Sequence, residues 1–436
     1  MKSKIIKFTS IALIVFFTIS CNHDSWFERD PQTIITDEQL WKDPNLIKGL
    51  LANYYNRLPN FHGDFNTGGM CELDDAMWSG HRDQDSKNNF TYDDAYGRYW
   101  DYTLIRDINL GMENLEKYGI SIDSDQKALF MAEMRFIRAF VYFEHVKRMG
   151  GVPLVTQTLE YDFNGDPSYL QMPRSTEAAI YDFIYTELEA IKSDLAGNNG
   201  SQTRANTFTA LALESRSMLY AASLAKYNNL MTVPIKTEGG EVGIPANRAS
   251  EYYRKSLDAS QAIIAETGTY DLYTSNANKG ENFYDMLNSK DSNKEIIFAK
   301  DYIVGLKVHR FAYDNIVKSM TEDNESSSSI SPSLSFVESF DYLDGSKGTL
   351  KFQDGSGNYI AYENPEDIFA DKDARLYGTV IYPGTTFKGL SANIQAGVAK
   401  WNGSGYDLSV APKLGDSYTD GGLWTGLDGP SDGNSD

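Results

Sequence analysis

Apolar residues at helical spacing run through most of the first 300 residues, and this pattern constrains the fold more than any other feature of the chain. They recur at intervals of three and four, as on the buried face of an amphipathic helix. Glycines follow the second and third stripes at Gly119 and at Gly150–Gly151, as is typical of helix ends. The stripes comprise Leu46, Ile47, Leu50, Leu51 and Tyr54; Trp100, Leu104, Ile105, Ile108, Met112 and Leu115; Leu129, Ala132, Phe136, Ala139, Phe140, Phe143 and Val146; and Ile180, Phe183, Ile184, Leu188 and Ile191.

Several helix starts are marked as well. Thr36 and Gln39 fit a capping box, Asp43 precedes a proline suited to a first turn, and Ser175 is placed to cap the fourth stripe. Further helices are predicted near 207–227 and 250–266. The sequence therefore predicts a mainly α fold of tetratricopeptide-like helix pairs. We expect these pairs to stack as an irregular α-solenoid, because no sequence repeat of about 34 residues holds and the connection 150–174 is long.

The character of the chain changes after about residue 320. Sixteen of the 35 glycines fall in 321–436, and short strand-like pieces such as 379–382 lie between turn signals. We expect a loop-rich, short-stranded ligand-binding region there, attached to a helical scaffold at 21–320.

Residues 1–20 have the features of a bacterial lipoprotein signal. Lys2, Lys4 and Lys7 precede an apolar run at 11–17 that is too short to span a bilayer, and Cys21 follows a small residue. The sequence predicts cleavage before Cys21 and acylation of its thiol, which would anchor a soluble body to a membrane. The alternative is an ordinary secreted protein with a chance cysteine.

The net charge restricts the partners. The formal charge is −21, and without the three signal lysines 37 basic residues face 61 acidic ones. Such a body repels phosphate backbones and anionic lipid, so nucleic acid is excluded as a partner and membrane attachment is left to the acyl chains. Cys71 is the only other thiol, so acylation of Cys21 would rule out an internal disulfide. Aromatic residues make up 13%, a content suited to recognition surfaces.

Six segments, in order, resemble the SusD/RagB family of outer-membrane nutrient-uptake lipoproteins. The strongest is a long helix followed by a Gly-Gly-x-Pro turn. The segments are TDEQLW at 36–41, EMRFIRAFVYFEHVKRMGGVPL at 133–154, PRST at 173–176 with YDFI at 181–184, YDLY at 270–273, NKEIIF at 293–298 and DKDARLY at 371–377.

The resemblance implies tetratricopeptide-like helix pairs carrying a loop-rich ligand-binding face. It also implies capture of glycans or other nutrients for a SusC-like TonB-dependent transporter, with the protein lipid-anchored in the outer membrane and facing the cell surface. Family members continue with further helices that close the solenoid. Nothing in this sequence resembles them, so we expect the chain to be truncated at its C-terminus.

Sugar recognition requires flat aromatic faces together with polar groups for hydroxyls. The connection 59–89 contains this mixture, and the resemblance implies that the ligand platform is built from this connection and from loops after 295–298. For Trp78 the alternative is a loop tryptophan packed on the scaffold, and for each tyrosine it is ordinary packing. Trp100 lies in a helical stripe and is predicted to be core. The candidate ligand-binding residues are Trp78, Asp74, Arg82, Tyr92, Tyr302 and Tyr313.

No catalytic residue, cofactor or metal is predicted. The histidines lack ligand spacing, and His145 on its helix is predicted to be a packed or surface residue. The segment 162–166 begins like a calcium loop, but Pro167 replaces the required glycine. Arg135 and Arg138 share a helical face that suits internal salt bridges. The alternative functions are a periplasmic solute-binding lipoprotein, which needs two α/β lobes, a secreted glycosidase, and an adhesive surface protein.

Overall fold

A computed structural model of the protein describes residues 35–59, 75–78, 99–266, 268–290, 293–322, 328–394, 397–404, 406–410 and 428. The described chain is mainly helical with little strand, which confirms the predicted fold class. The helices are α1 (Asp37–Lys42), α2 (Pro44–Arg57), α3 (Tyr102–Tyr118), α4 (Ser124–Met149), α5 (Glu177–Ile191), α6 (Thr207–Tyr227), α7 (Ala249–Ile264), α8 (Lys279–Asn288), α9 (Phe311–Asn315), α10 (Leu334–Glu338) and α11 (Arg375–Thr379).

The helix starts follow local capping chemistry. The Thr36 hydroxyl accepts a hydrogen bond from the Gln39 amide at 3.3 Å, and the Gln39 side chain accepts one from the Thr36 amide at 3.1 Å. Asp43 caps α2 with Pro44 at its first position, as predicted. The predicted cap at Ser175 is wrong by one residue. Thr176 caps α5 because its hydroxyl accepts from the Ala179 amide at 3.1 Å.

Helices α3 to α7 pack in chain order, each against the next, so the core is a continuous layer between successive helices. The long helix α4 is buried on several sides, and alanines on α6 allow close approach of its neighbours. The largest fully buried side chains are Tyr142, Tyr181, Tyr252, Phe130, Phe136, Phe143, Ile47, Leu51, Leu104, Ile105, Ile108 and Leu115.

Two arginines of α4 join it to its neighbours. Arg135 and Arg138 contact Glu187 of α5 at 2.8 and 2.9 Å, and Arg138 also donates to the Asn109 side-chain oxygen on α3 at 2.7 Å. The Glu187 and Arg138 side chains are largely buried, so the charges satisfy each other inside the stack. The predicted role of the two arginines in internal salt bridges is confirmed.

The turn after α4 requires two glycines because the backbone at Glu241 passes close to Gly150 and the backbone at Ser175 passes close to Gly151. Gly150 has φ +71°, a conformation that favours glycine. A Cβ on Gly151 would lie 1.9 Å from the Ser175 carbonyl oxygen, so no side chain fits. Arg174 donates to the Gly151 carbonyl at 2.7 Å and fixes the path into α5.

The prediction that Trp100 is core is wrong. Asp101 caps α3 by accepting from the Leu104 amide at 2.8 Å, so Trp100 precedes the helix instead of joining its buried stripe. The residue is 54% exposed, and its ring stacks on that of His145 with the centroids 5.6 Å apart. His145 is buried, so of the two predicted alternatives, packed or surface, it is a packed residue. Burial lowers its pKa to about 4.

The strands are short antiparallel pairs: β1 (Ala76–Trp78) with β2 (Ile330–Pro332), β3 (Thr386–Phe387) with β4 (Leu390–Ser391), and β5 (Gly397–Trp401) with β6 (Tyr406–Val410). The strand expected at 379–382 is wrong, because Thr379 ends α11 and Val380 packs in a small buried cluster. In the described part of the chain, no helix has the length and apolarity to cross a membrane.

The boundary expected at residue 320 stays a prediction. Contacts cross it in several places: β1 pairs with β2, α8 packs against α11, and Ile316, Val317 and Met320 share a buried cluster with Ala392. The segment after 320 therefore packs on the helical scaffold through both backbone hydrogen bonds and apolar contact.

Candidate functional site

A cavity of about 680 Å³ opens between the end of α2 and residues 298–307. This volume is within the range of sites that hold small molecules. One face of α2 forms the floor, and the extended segment after the 293–298 motif forms the opposite wall. The lining residues are Lys48, Ala52, Tyr55, Asn56, Leu58, Pro59, Phe140, Thr203, Arg204, Phe298, Ala299, Lys300, Asp301, Tyr302 and Lys307.

Aromatic rings line the cavity and are set at fixed angles. The Tyr55 and Phe298 rings lie 6.2 Å apart and tilted by 59°, and Phe298 packs edge-on against the core residue Phe136 at 5.8 Å. Tyr302 packs edge-on with His309 at 4.8 Å. These rings give the cavity rigid apolar surfaces of the kind that stack on the C–H faces of sugars.

A buried carboxylate positions Tyr55. The Tyr55 hydroxyl donates to Glu133 of α4 at 2.7 Å and accepts from the Ala205 amide at 2.9 Å. Arg204 donates to both oxygens of Glu133, with Nε at 3.0 Å from one of them. Burial and the neighbouring Glu133 charge raise the pKa of Tyr55 well above its usual value, so the phenol stays protonated. The ring therefore has one orientation.

Two lysines attach the opposite wall of the cavity to the end of α2. The Lys300 ammonium donates to the carbonyls of Asn56 and Leu58 at 2.8 and 2.9 Å, which satisfies the end of that helix. The Lys307 ammonium donates to the Asn56 side chain and lies over the Tyr302 ring, 5.3 Å from its centroid. A short hairpin brings Lys307 back to Tyr302, with Ile303 and Lys307 paired.

A second surface forms where the connection after α2 meets the chain past residue 328. Trp78 ends β1 opposite Ile330 of β2, and the Ser333 amide donates to the Asp75 carbonyl at 3.0 Å. The Ser329 amide donates to the Asp314 carbonyl on α9 at 2.9 Å. The backbone at Trp78 is thus tied, through β2, to the helix that carries Tyr313.

The structure brings some predicted residues together. Tyr302 lines the cavity, and half-buried Tyr313 lies under the Arg310 guanidinium at 4.7 Å. His309 and Arg310, adjacent in the chain, contact Tyr302 and Tyr313 respectively, so the two tyrosines belong to one stretch of surface. Trp78 is described only as backbone. Cys21, Asp74, Arg82 and Tyr92 lie outside the described residues.

Tyr55, Phe298 and the lysines of the cavity were not predicted from the sequence. Phe298 belongs to a family motif, and Tyr55 stands at the end of α2, one turn before the connection at Pro59. Either feature could have been used to propose these two residues from the sequence. The cavity itself depends on α2 meeting a segment about 250 residues later, and no local pattern marks that contact.

Within the described ranges, no group of three or more His, Cys, Asp or Glu side chains could hold a metal. Asp162 and Asp166 bind amides of their own loop, from Asn164 at 3.0 Å and Ser168 at 2.9 Å. These hydrogen bonds lower the pKa of both carboxyl groups.

One buried carboxyl has a strongly shifted pKa. Burial, followed by the neighbouring Glu189, raises the pKa of Glu214 to about 8, while Lys192 and Lys255 oppose the shift. Glu214 lies on α6, Glu189 on α5 and Lys255 on α7, so the group is internal to the helical stack. It does not line the cavity. We interpret it as part of the scaffold.

Comparisons with known proteins agree on one family. A SusD-like family model, described as starch-binding and associating with the outer membrane, matches residues 28–219, and the SusD family model matches 294–432. Together they cover more than half of the chain. The SusD-like protein P38 of Formosa agariphila is 27% identical over 241 residues, which are 52% of this chain and 45% of P38.

Solved structures share the fold. A SusD-like carbohydrate binding protein from Bacteroides fragilis is 22% identical with a TM-score of 0.61, covering 83% of this chain and 64% of its own. A SusD-like protein from the same species is 21% identical with a TM-score of 0.58, covering 92% of this chain and 71% of its own. The chain thus spans less than half of P38 and about two thirds of the carbohydrate binding protein.

Proposed function

Because this chain belongs to the SusD/RagB family, we propose that it binds glycans or other nutrients at the outer membrane and delivers them to a SusC-like TonB-dependent transporter. Members of the family bind starch or other glycans and associate with the outer membrane. The observation that carries the proposal for this chain is the aromatic cavity between α2 and 298–307.

Binding is non-covalent in this proposal. Tyr302, with Tyr55 and Phe298, supplies rigid ring faces, and lysine and amide groups supply hydrogen bonds to hydroxyls. Trp78, Asp74, Arg82, Tyr92 and Tyr313 are proposed to extend the site beyond the cavity. No step of bond cleavage is assigned to any residue.

Affinity electrophoresis against a polysaccharide panel tests the binding. We expect retardation of the wild-type chain by at least one glycan, and a loss of about tenfold or more in affinity for Tyr302→Ala and for Trp78→Ala. Tyr227→Ala, which removes the ring of a residue that is 54% exposed on α6, is the matched control and should bind as the wild type does. The proposal would be refuted if a folded sample bound none of the polysaccharides and no peptide nutrient.

The membrane anchor and the partner need separate tests. We propose acylation at Cys21, exposure at the cell surface and docking on the transporter. Mass spectrometry of the processed protein should find a lipid-modified Cys21, and Cys21→Ala should move the protein out of the outer-membrane fraction. Protease added to intact cells should digest the wild-type protein. Affinity purification from detergent-solubilised outer membranes should recover a TonB-dependent barrel, and its absence would refute the partnership.

A further inference from the structure

The charge around the cavity is opposite in sign to the charge of the chain. Acidic residues outnumber basic ones by 61 to 40 overall. The cavity, by contrast, is lined by four cationic side chains, Lys48, Arg204, Lys300 and Lys307, and by one carboxylate, Asp301. A local reversal of this kind directs an anionic ligand toward one place on a body that otherwise repels it.

Part of this charge is neutralised inside the protein. Arg204 is paired with buried Glu133, and Asp301 pairs with Lys290 at 3.7 Å. The cavity still contains the positive charges of Lys48 and Lys307. No ion pair among the described residues involves Lys48 or Lys307. Lys48 is exposed, and Lys307 is held in place by Asn56 and the Tyr302 ring.

Lys48 lies on the cavity floor, and the Lys307 ammonium reaches that floor from the opposite wall at Asn56. Lys48 and Asn56, which binds Lys307, are eight residues apart on α2. At 1.5 Å per residue their separation along the helix is roughly 12 Å. The Tyr55 and Phe298 rings line the same cavity. A ligand that satisfies this arrangement has sugar rings for the aromatic faces and acidic groups on more than one ring.

We propose that the cavity binds an acidic oligosaccharide, whose carboxylate or sulfate groups contact Lys48 and Lys307 while its rings pack on the aromatic wall. The inference rests on the proposed glycan-binding function and specifies the ligand class. An ammonium group binds carboxylate and sulfate alike, so experiment has to distinguish the two kinds of acidic group.

The test compares acidic with neutral glycans. The acidic probes are pectate and alginate for carboxylates, and chondroitin sulfate and κ-carrageenan for sulfates. The neutral probes are starch, xylan, galactan and fully methyl-esterified pectin, which keeps the pectate backbone without its charge. We expect at least one acidic probe to bind about tenfold or more tightly than every neutral probe. We also expect its affinity to fall about tenfold between 50 and 500 mM NaCl.

Charge-removing variants then locate the binding. The double variant Lys48→Gln/Lys307→Gln should lose about tenfold or more in affinity for the acidic probe and change less than about twofold for a neutral one. Glutamine at 307 retains a donor for Asn56, so the wall should remain in place. Lys236→Gln, an exposed lysine outside the cavity lining, is the control and should leave both affinities unchanged.

The outcomes separate this inference from the proposed function. Binding of neutral glycans alone, or acidic binding that the double variant leaves intact, overturns the inference while glycan binding stands. Binding of no glycan at all overturns both. A circular-dichroism spectrum that matches the wild type confirms that a loss in the double variant comes from charge and not from unfolding.

Discussion

Replacing Arg204 with methionine should destabilise the protein strongly, because it leaves a charge buried. The Glu133 side chain is fully buried, and Arg204 supplies two charge-assisted hydrogen bonds to it. Each such bond contributes about 1.5–3 kcal/mol, and removing one partner of a buried ion pair typically costs about 3–5 kcal/mol. The Tyr55 hydroxyl alone would remain against the carboxylate. We expect Arg204→Met to lower the free energy of unfolding by about 3–5 kcal/mol.

Urea unfolding, followed by circular dichroism and tryptophan fluorescence, measures this change. Lys127→Met is the matched control, because its pair with Glu116 is exposed on the carboxylate side, and it should cost less than about 1 kcal/mol. The double variant Arg204→Met/Glu133→Gln removes the stranded charge and should recover part of the loss. If Arg204→Met were as mild as Lys127→Met, the reasoning that Glu133 depends on Arg204 would be refuted.

Four further substitutions should change the stability of the protein in different directions. Gly151→Ala should cost about 3 kcal/mol or more, since its Cβ would meet backbone, whereas Gly49→Ala, in the middle of α2 with open space around it, should stabilise by about 0.5–1 kcal/mol. Trp100→Ala should cost far less than the about 3–5 kcal/mol of a core tryptophan, and a core-sized loss would contradict its exposure. The raised pKa of Glu214 means that the folded chain holds a proton which the unfolded chain releases near pH 4.5, so wild-type stability should fall between about pH 4.5 and 8. Glu214→Gln should flatten that fall and stabilise the protein at pH 8.5 by at least about 1.4 kcal/mol, while Glu238→Gln on an exposed loop should leave the pH profile unchanged.

Helical periodicity predicted the scaffold well because each stripe is a local property. Capping at Thr36 and Asp43 was readable for the same reason, as was the salt-bridge role of Arg135 and Arg138. Errors arose where one residue decided between two local structures. Asp101 is the N-cap of α3, so Trp100 lies before the helix and not in it.

The candidate site was harder to predict, because it is made by contacts between distant parts of the chain. Tyr302 could be proposed from its place after a family motif, and it lines the cavity. The lysines could not, since the Lys307 ammonium is placed by its contacts with Asn56 and the Tyr302 ring. A solvated lysine and a ligand-binding lysine have the same appearance in a sequence.

The pairing of β1 with β2 has a consequence for the order of folding. Ala76–Trp78 finds its partner only at Ile330–Pro332, a closure over some 250 residues that carries a large entropic cost. The local α3–α7 contacts can form first, as nearest-neighbour steps. We therefore expect refolding to show a fast helical phase followed by a slower one that completes the β1–β2 surface of the proposed site. A kinetically trapped chain would then have a native far-ultraviolet spectrum and still fail to bind the proposed ligand.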